Sequence, residues 1–177
     1  MGLRKVAVQM EELVDALSQS QDSELLWFFD TQTGEVLMVG SEYMTDEYDD
    51  ADGLGLDDQE EAGESEGSSV EAGEPEWIRK ERELARRIDE GGDRYRDIEP
   101  IESYEAYRYM EDFIRTVDDE EIRGRVAGAI GGRGAFRKFK DVLAKYNLLD
   151  KWFAYDRERR LRYAREWLES LGIEPAA

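Results

Sequence analysis

Arg133 stands between Gly132 and Gly134, at the head of a stretch that carries Arg137, Lys138 and Lys140. The surrounding run, AIGGRGAFRKFKDVL over residues 129–143, leads from a glycine-rich turn straight into a helical pattern. Backbone N–H groups of such a turn can point outward, and a helix N-terminus carries partial positive charge. A guanidinium in the turn and three cations just beyond it add charge-assisted donors at the same place. The chemistry this suits is the holding of an anion, with Gly132, Arg133, Gly134, Arg137, Lys138 and Lys140 as contacts. No Gly-Lys-Ser/Thr follows at Walker spacing, so the stretch gives no direct support for ATP. The structural reading competes: Gly131 caps one helix, Gly134 allows close helix packing, and the cations are simply solvated.

A second group lies in WFAYDRERRLRYAREWL, residues 152–168. Arg157, Arg159, Arg160, Arg162 and Arg165 interleave there with Trp152, Tyr155, Tyr163 and Trp167. Arginine beside aromatics is a nucleic-acid pattern, because phosphates pair and bases stack. The aromatic spacing also fits a core face, and the arginines spread around the helix. Contact with a protein partner, through Arg157, Arg160 and Tyr163, accounts for them as well.

The chain has no cysteine and no histidine. That excludes disulfides, thiol nucleophiles, Cys/His zinc sites and every triad with a histidine base. Carboxylates are abundant, so a pair such as Glu111-Asp112, or the run Asp118 to Glu121, is weak evidence for a hard metal. Acids at a helix start are more simply explained by capping and the macrodipole. No catalytic residue, metal site or cofactor is assigned.

The net charge of −20 is unevenly spread. Residues 41–76 hold 15 acids and no base, whereas residues 122–168 hold 13 bases against 5 acids. One acidic segment therefore hides a basic C-terminal module. The segment is rich in Asp, Glu, Gly and Ser, too polar to offset its own conformational entropy, and residues 45–75 read as a disordered linker or loop. It also suits a counter-ion for the basic face. Asp50, Asp52, Gly55 and Glu61 echo a calcium loop, but Leu54 occupies a ligand position.

Several elements must position these groups. Residues 9–19 show helical spacing in Met10, Leu13, Val14 and Leu17. Strands at 24–30 and 35–40 flank Thr31-Gln32-Thr33-Gly34, a hairpin with glycine at the positive-φ position. Lys5–Val8 and Arg94–Ile98 are candidate extra strands. Glu74-Pro75 opens a helix with Trp77, Leu84 and Ile88 on one face, stopped by Gly91-Gly92. Ser103 caps a helix through Thr116, with Tyr107, Met110 and Ile114 inward. Asp118 with Glu121 opens the next, lined by Ile122, Val126 and Ile130. Ala135–Tyr146 carries Phe136, Phe139, Leu143 and Tyr146 at helical spacing. Asp150 or Asp156 caps a last helix that buries Leu161, Ala164, Leu168 and Leu171. The fold class is α+β: a small N-terminal antiparallel sheet with helices, then a mainly helical part. The division is 1–44, 45–75 and 76–177; length favours one core shared by the first and last parts, and the acidic break between them permits two.

FFDTQTGEV (28–36), RYRDIEP (94–100), YRYMEDFI (107–114), the glycine-arginine run and the Trp/Arg-rich last helix follow one another in order. Together they resemble the bacterial Uncharacterised Protein Family 0158, over the first 40 residues or so and residues 92–172. The acidic run then looks like an insertion. The resemblance implies that Gly132, Arg133, Gly134, Phe136, Arg137, Phe139, Lys140 and Asp141 form a shared feature, and it brings no activity or catalytic residue with it.

The expected protein is soluble and cytoplasmic, because no apolar run spans a bilayer and Gln9, Glu11 and Glu12 break any signal-peptide core. Its expected function is non-enzymatic: a binding or regulatory protein that holds an acidic partner or anionic ligand on the basic Gly-Arg-Gly/helix surface. One alternative is RNA or single-stranded nucleic-acid binding by the same surface. Another is a metal-assisted enzyme acting on a phosphate-bearing small molecule. No oligomeric state follows from the sequence.

Overall fold

The aromatic and β-branched runs on either side of TQTG pair as an antiparallel hairpin. Strand β2 is Leu25–Asp30 and β3 is Val36–Gly40, in register Phe28↔Leu37 and Leu26↔Val39. The computed structural model describes residues 2–19, 23–44 and 75–176. The linker expected at 45–75, apart from Pro75, and the calcium-loop spacing from Asp50 to Glu61 lie outside the described residues.

Three features fix the hairpin turn. The Asp30 carboxylate accepts from the backbone N–H of Gln32 at 2.8 Å and of Thr33 at 3.3 Å. Gly34 takes φ +80° and donates its N–H to the Asp30 carbonyl at 2.8 Å. A Cβ at residue 34 would press on the Ala7 carbonyl, so strand β1 (Arg4–Val6) and its following loop approach only a glycine. Gly34→Ala therefore combines a left-handed φ with a backbone clash, and is expected to cost about 2 kcal/mol or more. A urea melt reads this directly, and an unchanged midpoint would contradict it.

A third strand, β4 (Tyr95–Asp97), pairs antiparallel with β2 and gives the order β3-β2-β4. Each face of this sheet covers a different helix. Phe29 packs with Leu13, Val14 and Leu17 of helix α1 (Met10–Leu17) and with Ala164 and Leu168 near the C-terminus. Phe28 and Val39 pack with Ala85 and Ile88 of α2 (Glu76–Glu90) on the other face.

The rest is helical: α3 (Ser103–Arg115), α4 (Glu120–Ala129), α5 (Ala135–Lys145) and α6 (Leu149–Ser170). Tyr109, Met110 and Phe113 of α3, Val126 of α4, Phe139 and Leu143 of α5 and Trp152 of α6 form one core. Helix α6, 22 residues or about 33 Å long, runs from this helical core to the sheet core. A short strand β5 (Ile173–Pro175) follows and pairs in parallel with β1.

Several local expectations are corrected. Trp77 is 62% exposed, because only Ala85 and Ile88 of α2 are buried and its first turns overrun that core. Phe136 is 43% exposed, because Ala135, Phe139 and Leu143 take the buried stripe of α5 and leave it on the flank. Asp119 rather than Asp118 caps α4, accepting from the Ile122 N–H at 2.9 Å. Ser103 lies inside α3 with no capping bond. Helix α6 begins after Leu148, which places Asp150 in its first turn and Asp156 in its interior.

Candidate functional site: an unpaired cationic surface on helix α5

The site is built from the α4–α5 corner. Val126 and Ile130 are buried and hold α4 against the helical core. The chain turns through Gly131–Gly134, with Gly132 at φ +71° and Gly134 at φ +77°. These left-handed values, rather than tight packing, explain the glycines, since a Cβ at either would meet nothing within 4 Å. The expectation that Gly134 permits close helix packing is thereby corrected. Gly134 precedes α5 with no side-chain cap, and its carbonyl accepts from the Lys138 N–H at 3.1 Å.

Phe139 fixes which way α5 faces. It is fully buried, with its ring 4.8 Å from Trp152 and 6.2 Å from Phe113, both edge-on. With Ala135, Phe139 and Leu143 inward, a helix of 3.6 residues per turn places Arg137 on the opposite side, Lys140 on the flank that carries Phe136, and Lys138 on the other flank. Arg133 sits in the turn just before. All four are exposed, and none has a carboxylate within ion-pairing distance among the described residues. Over residues 130–151 there are six cations against two acids, Asp141 and Asp150. The local charge is thus positive and left unneutralised by the described fold.

Four of the five arginines singled out in α6 behave differently; the fifth, Arg165, is exposed and has no carboxylate within ion-pairing distance among the described residues. Arg157 pairs with Glu11 of α1 at 2.5 Å. Arg160 pairs with Asp156 at 2.8 Å and donates to the Ser18 hydroxyl at 3.0 Å. Arg159 pairs with Asp112 of α3 at 2.9 Å and lies over the Tyr109 ring, 4.8 Å from its centroid. Arg162 pairs with Glu158 at 3.7 Å. Tyr163 is half-buried against the sheet core, and burial pushes its hydroxyl above the usual phenol range. Arg157 and Arg160 therefore help hold α1 to α6. They are not brought together with Arg133, Arg137, Lys138 and Lys140 into one surface.

Another charged feature escaped sequence reasoning. Asp30 is buried, and Arg94 grips it through Nε at 3.0 Å and a terminal nitrogen at 2.6 Å. Burial would raise the Asp30 pKa. The Arg94 bonds and the turn N–H groups outweigh it and hold the carboxyl at about 2. Thr31 adds a hydroxyl bond to the Arg94 carbonyl at 2.8 Å, and Arg4 reaches the Thr31 carbonyl. The cluster joins β1, the hairpin turn and β4. Its role is structural, because every group in it is turned on another part of the chain.

Among the described residues no cluster of three or more acidic side chains is placed to hold a metal. No described helix is long and apolar enough to cross a membrane.

An α+β chain with a helical C-terminal part and an exposed Gly-Arg-Gly corner is the class that these observations define. The family model described as Uncharacterised protein family (UPF0158) matches residues 69–177, so the chain belongs to that family. The match takes in α2 through β5, including the whole α4–α5 corner, and leaves the first 40 residues outside it. The chain is also similar to UPF0158 protein PA5073 of Pseudomonas aeruginosa, at 36% identity over 81 residues. That alignment covers 45% of this chain and 53% of the relative, so the chain spans about half the length of the curated relative it matches. No solved structure matches it.

Proposed function

We propose that this protein is a non-enzymatic binding or regulatory protein that holds an acidic partner or anionic ligand on the surface formed by Gly132, Arg133, Gly134, Arg137, Lys138 and Lys140. One observation carries the reading. The arginines at 157, 159, 160 and 162 are spent on carboxylates of the chain itself, whereas the cations from 133 to 140 have no such partner among the described residues. An exposed, unneutralised cluster is poised to attract an external anion. The buried Phe139 stripe fixes Arg137, Lys138 and Lys140 on a packed helix, with Arg133 in the turn that precedes it.

The test uses the full chain and a fluorescein-labelled polyglutamate peptide at low salt, read by anisotropy. The double substitution Arg133→Ala, Arg137→Ala removes two charge-assisted contacts and is expected to weaken binding about tenfold or more. The melting temperature should not move, since both side chains are exposed. Arg157→Ala is the control: it should lower stability slightly and leave affinity within about twofold. Equal losses from both variants would place the binding elsewhere.

A further inference from the structure

The proposed surface carries one group that an acidic peptide does not need. Phe136 is 43% exposed, one residue before Arg137, one helical turn before Lys140 and three residues after Arg133. A phenyl ring kept in water among unpaired cations gains nothing from ion pairing. It gains when a flat apolar partner covers it. Beside it the turn backbone is uncovered, because nothing lies within 4 Å of where a Cβ would stand at Gly131 or Gly132. An anion can therefore approach the main chain next to the Arg133 guanidinium.

Resting on the anion-binding reading above, we infer that the partner of this surface is single-stranded nucleic acid, with Phe136 stacking one base and Arg133, Arg137 and Lys140 taking the flanking phosphates. Two lines of chemistry converge on it. Phosphate spacing along a strand suits cations set three or four residues apart on a helix, about 5–6 Å between turns. An exposed ring can stack only on a base already free of its neighbours, which selects single strands over duplex. Charge complementarity is local: six cations face two acids over residues 130–151, although the chain as a whole carries −20. The whole-chain charge opposes long-range attraction, so short-range contacts must carry the affinity.

The experiment titrates the full chain with labelled oligouridylate, oligothymidylate and polyglutamate. Phe136→Leu keeps an apolar side chain of similar reach but loses the ring. It is expected to weaken both oligonucleotides about fivefold to tenfold while leaving polyglutamate unchanged. Phe136→Tyr, which keeps the ring, should retain wild-type affinity and so separates stacking from any loss of fold. Arg137→Gln with Lys140→Gln should weaken all three ligands and flatten the salt dependence by a slope of roughly one to one and a half. Oligouridylate bound more tightly than oligothymidylate assigns RNA, and the reverse order assigns DNA; either supports the inference. Polyglutamate binding that depends on Arg133 and Arg137, without oligonucleotide binding, overturns the inference and keeps the anion-binding reading. Equal loss of all ligands in Phe136→Leu also overturns it. Failure of every ligand to bind at low salt removes both.

Discussion

Phe139→Ala is expected to lower the unfolding free energy by about 3–5 kcal/mol, the range for removing a fully buried ring from a packed core. Phe139 has no exposure, and its ring meets Trp152 and Phe113 edge-on at 4.8 and 6.2 Å. The Phe113 and Trp152 rings also meet each other at 5.4 Å, so the cavity opens inside a set of mutual contacts that cannot collapse without breaking another pair. Because Phe139 also sets the rotation of α5, the variant should lose affinity at the cationic surface as well. Phe136→Ala, three residues away but 43% exposed, should cost less than about 1 kcal/mol. Chemical denaturation of the two variants side by side is the measurement. Similar losses in both would mean that the inward face of α5 is misassigned.

Arg94→Ala is expected to have the next largest effect near neutral pH, because it leaves the buried Asp30 carboxylate without its ion pair. Its pH dependence is more diagnostic than its size. Asp30 ordinarily titrates at 3.8 and is held at about 2 in the fold. A depressed folded pKa adds stability that is fully present above the unfolded value and is lost as pH falls through the folded one. The Asp30 interaction thus contributes about 2 kcal/mol above pH 4, and the contribution disappears on the way to pH 2. Without Arg94, burial works in the other direction and favours the protonated acid. The stability gap between wild type and Arg94→Ala should therefore be widest above pH 4 and close toward pH 2. A gap that stays constant across that window would show that Arg94 acts by packing alone.

How far the sequence revealed this protein depends on whether the deciding contact was local. The hairpin was legible because Gly34 and the aromatic and β-branched runs on either side of it encode turn and strands between Leu25 and Gly40. The α4–α5 corner was legible for the same reason: apolar stripes at helical spacing stop at one glycine run and resume after it. Strand β5 was not, since three residues ending in proline carry no alternation, and their parallel pairing with β1 joins the two ends of the chain. Nor was the Asp30–Arg94 pair, whose members are 64 residues apart. The same limit governed the basic clusters. Composition alone marks both the arginines of α6 and the cations of α5 as basic. Only the docking of α1 shows that Glu11 and Ser18 take up Arg157 and Arg160 while nothing among the described residues takes up Arg133 or Arg137. Trp77 and Phe136 kept their helical phase but lay beyond the reach or on the flank of the core, which periodicity alone does not encode.

The most direct measurement is a backbone-amide NMR titration of the full chain with the polyglutamate peptide. Shifts concentrated over residues 131–140, with α1 and the Arg157–Arg160 turn of α6 silent, are the predicted result. Shifts centred on the α1–α6 contact, or spread evenly over all exposed arginines, would contradict the claim that the unpaired cations of α5 form the binding surface.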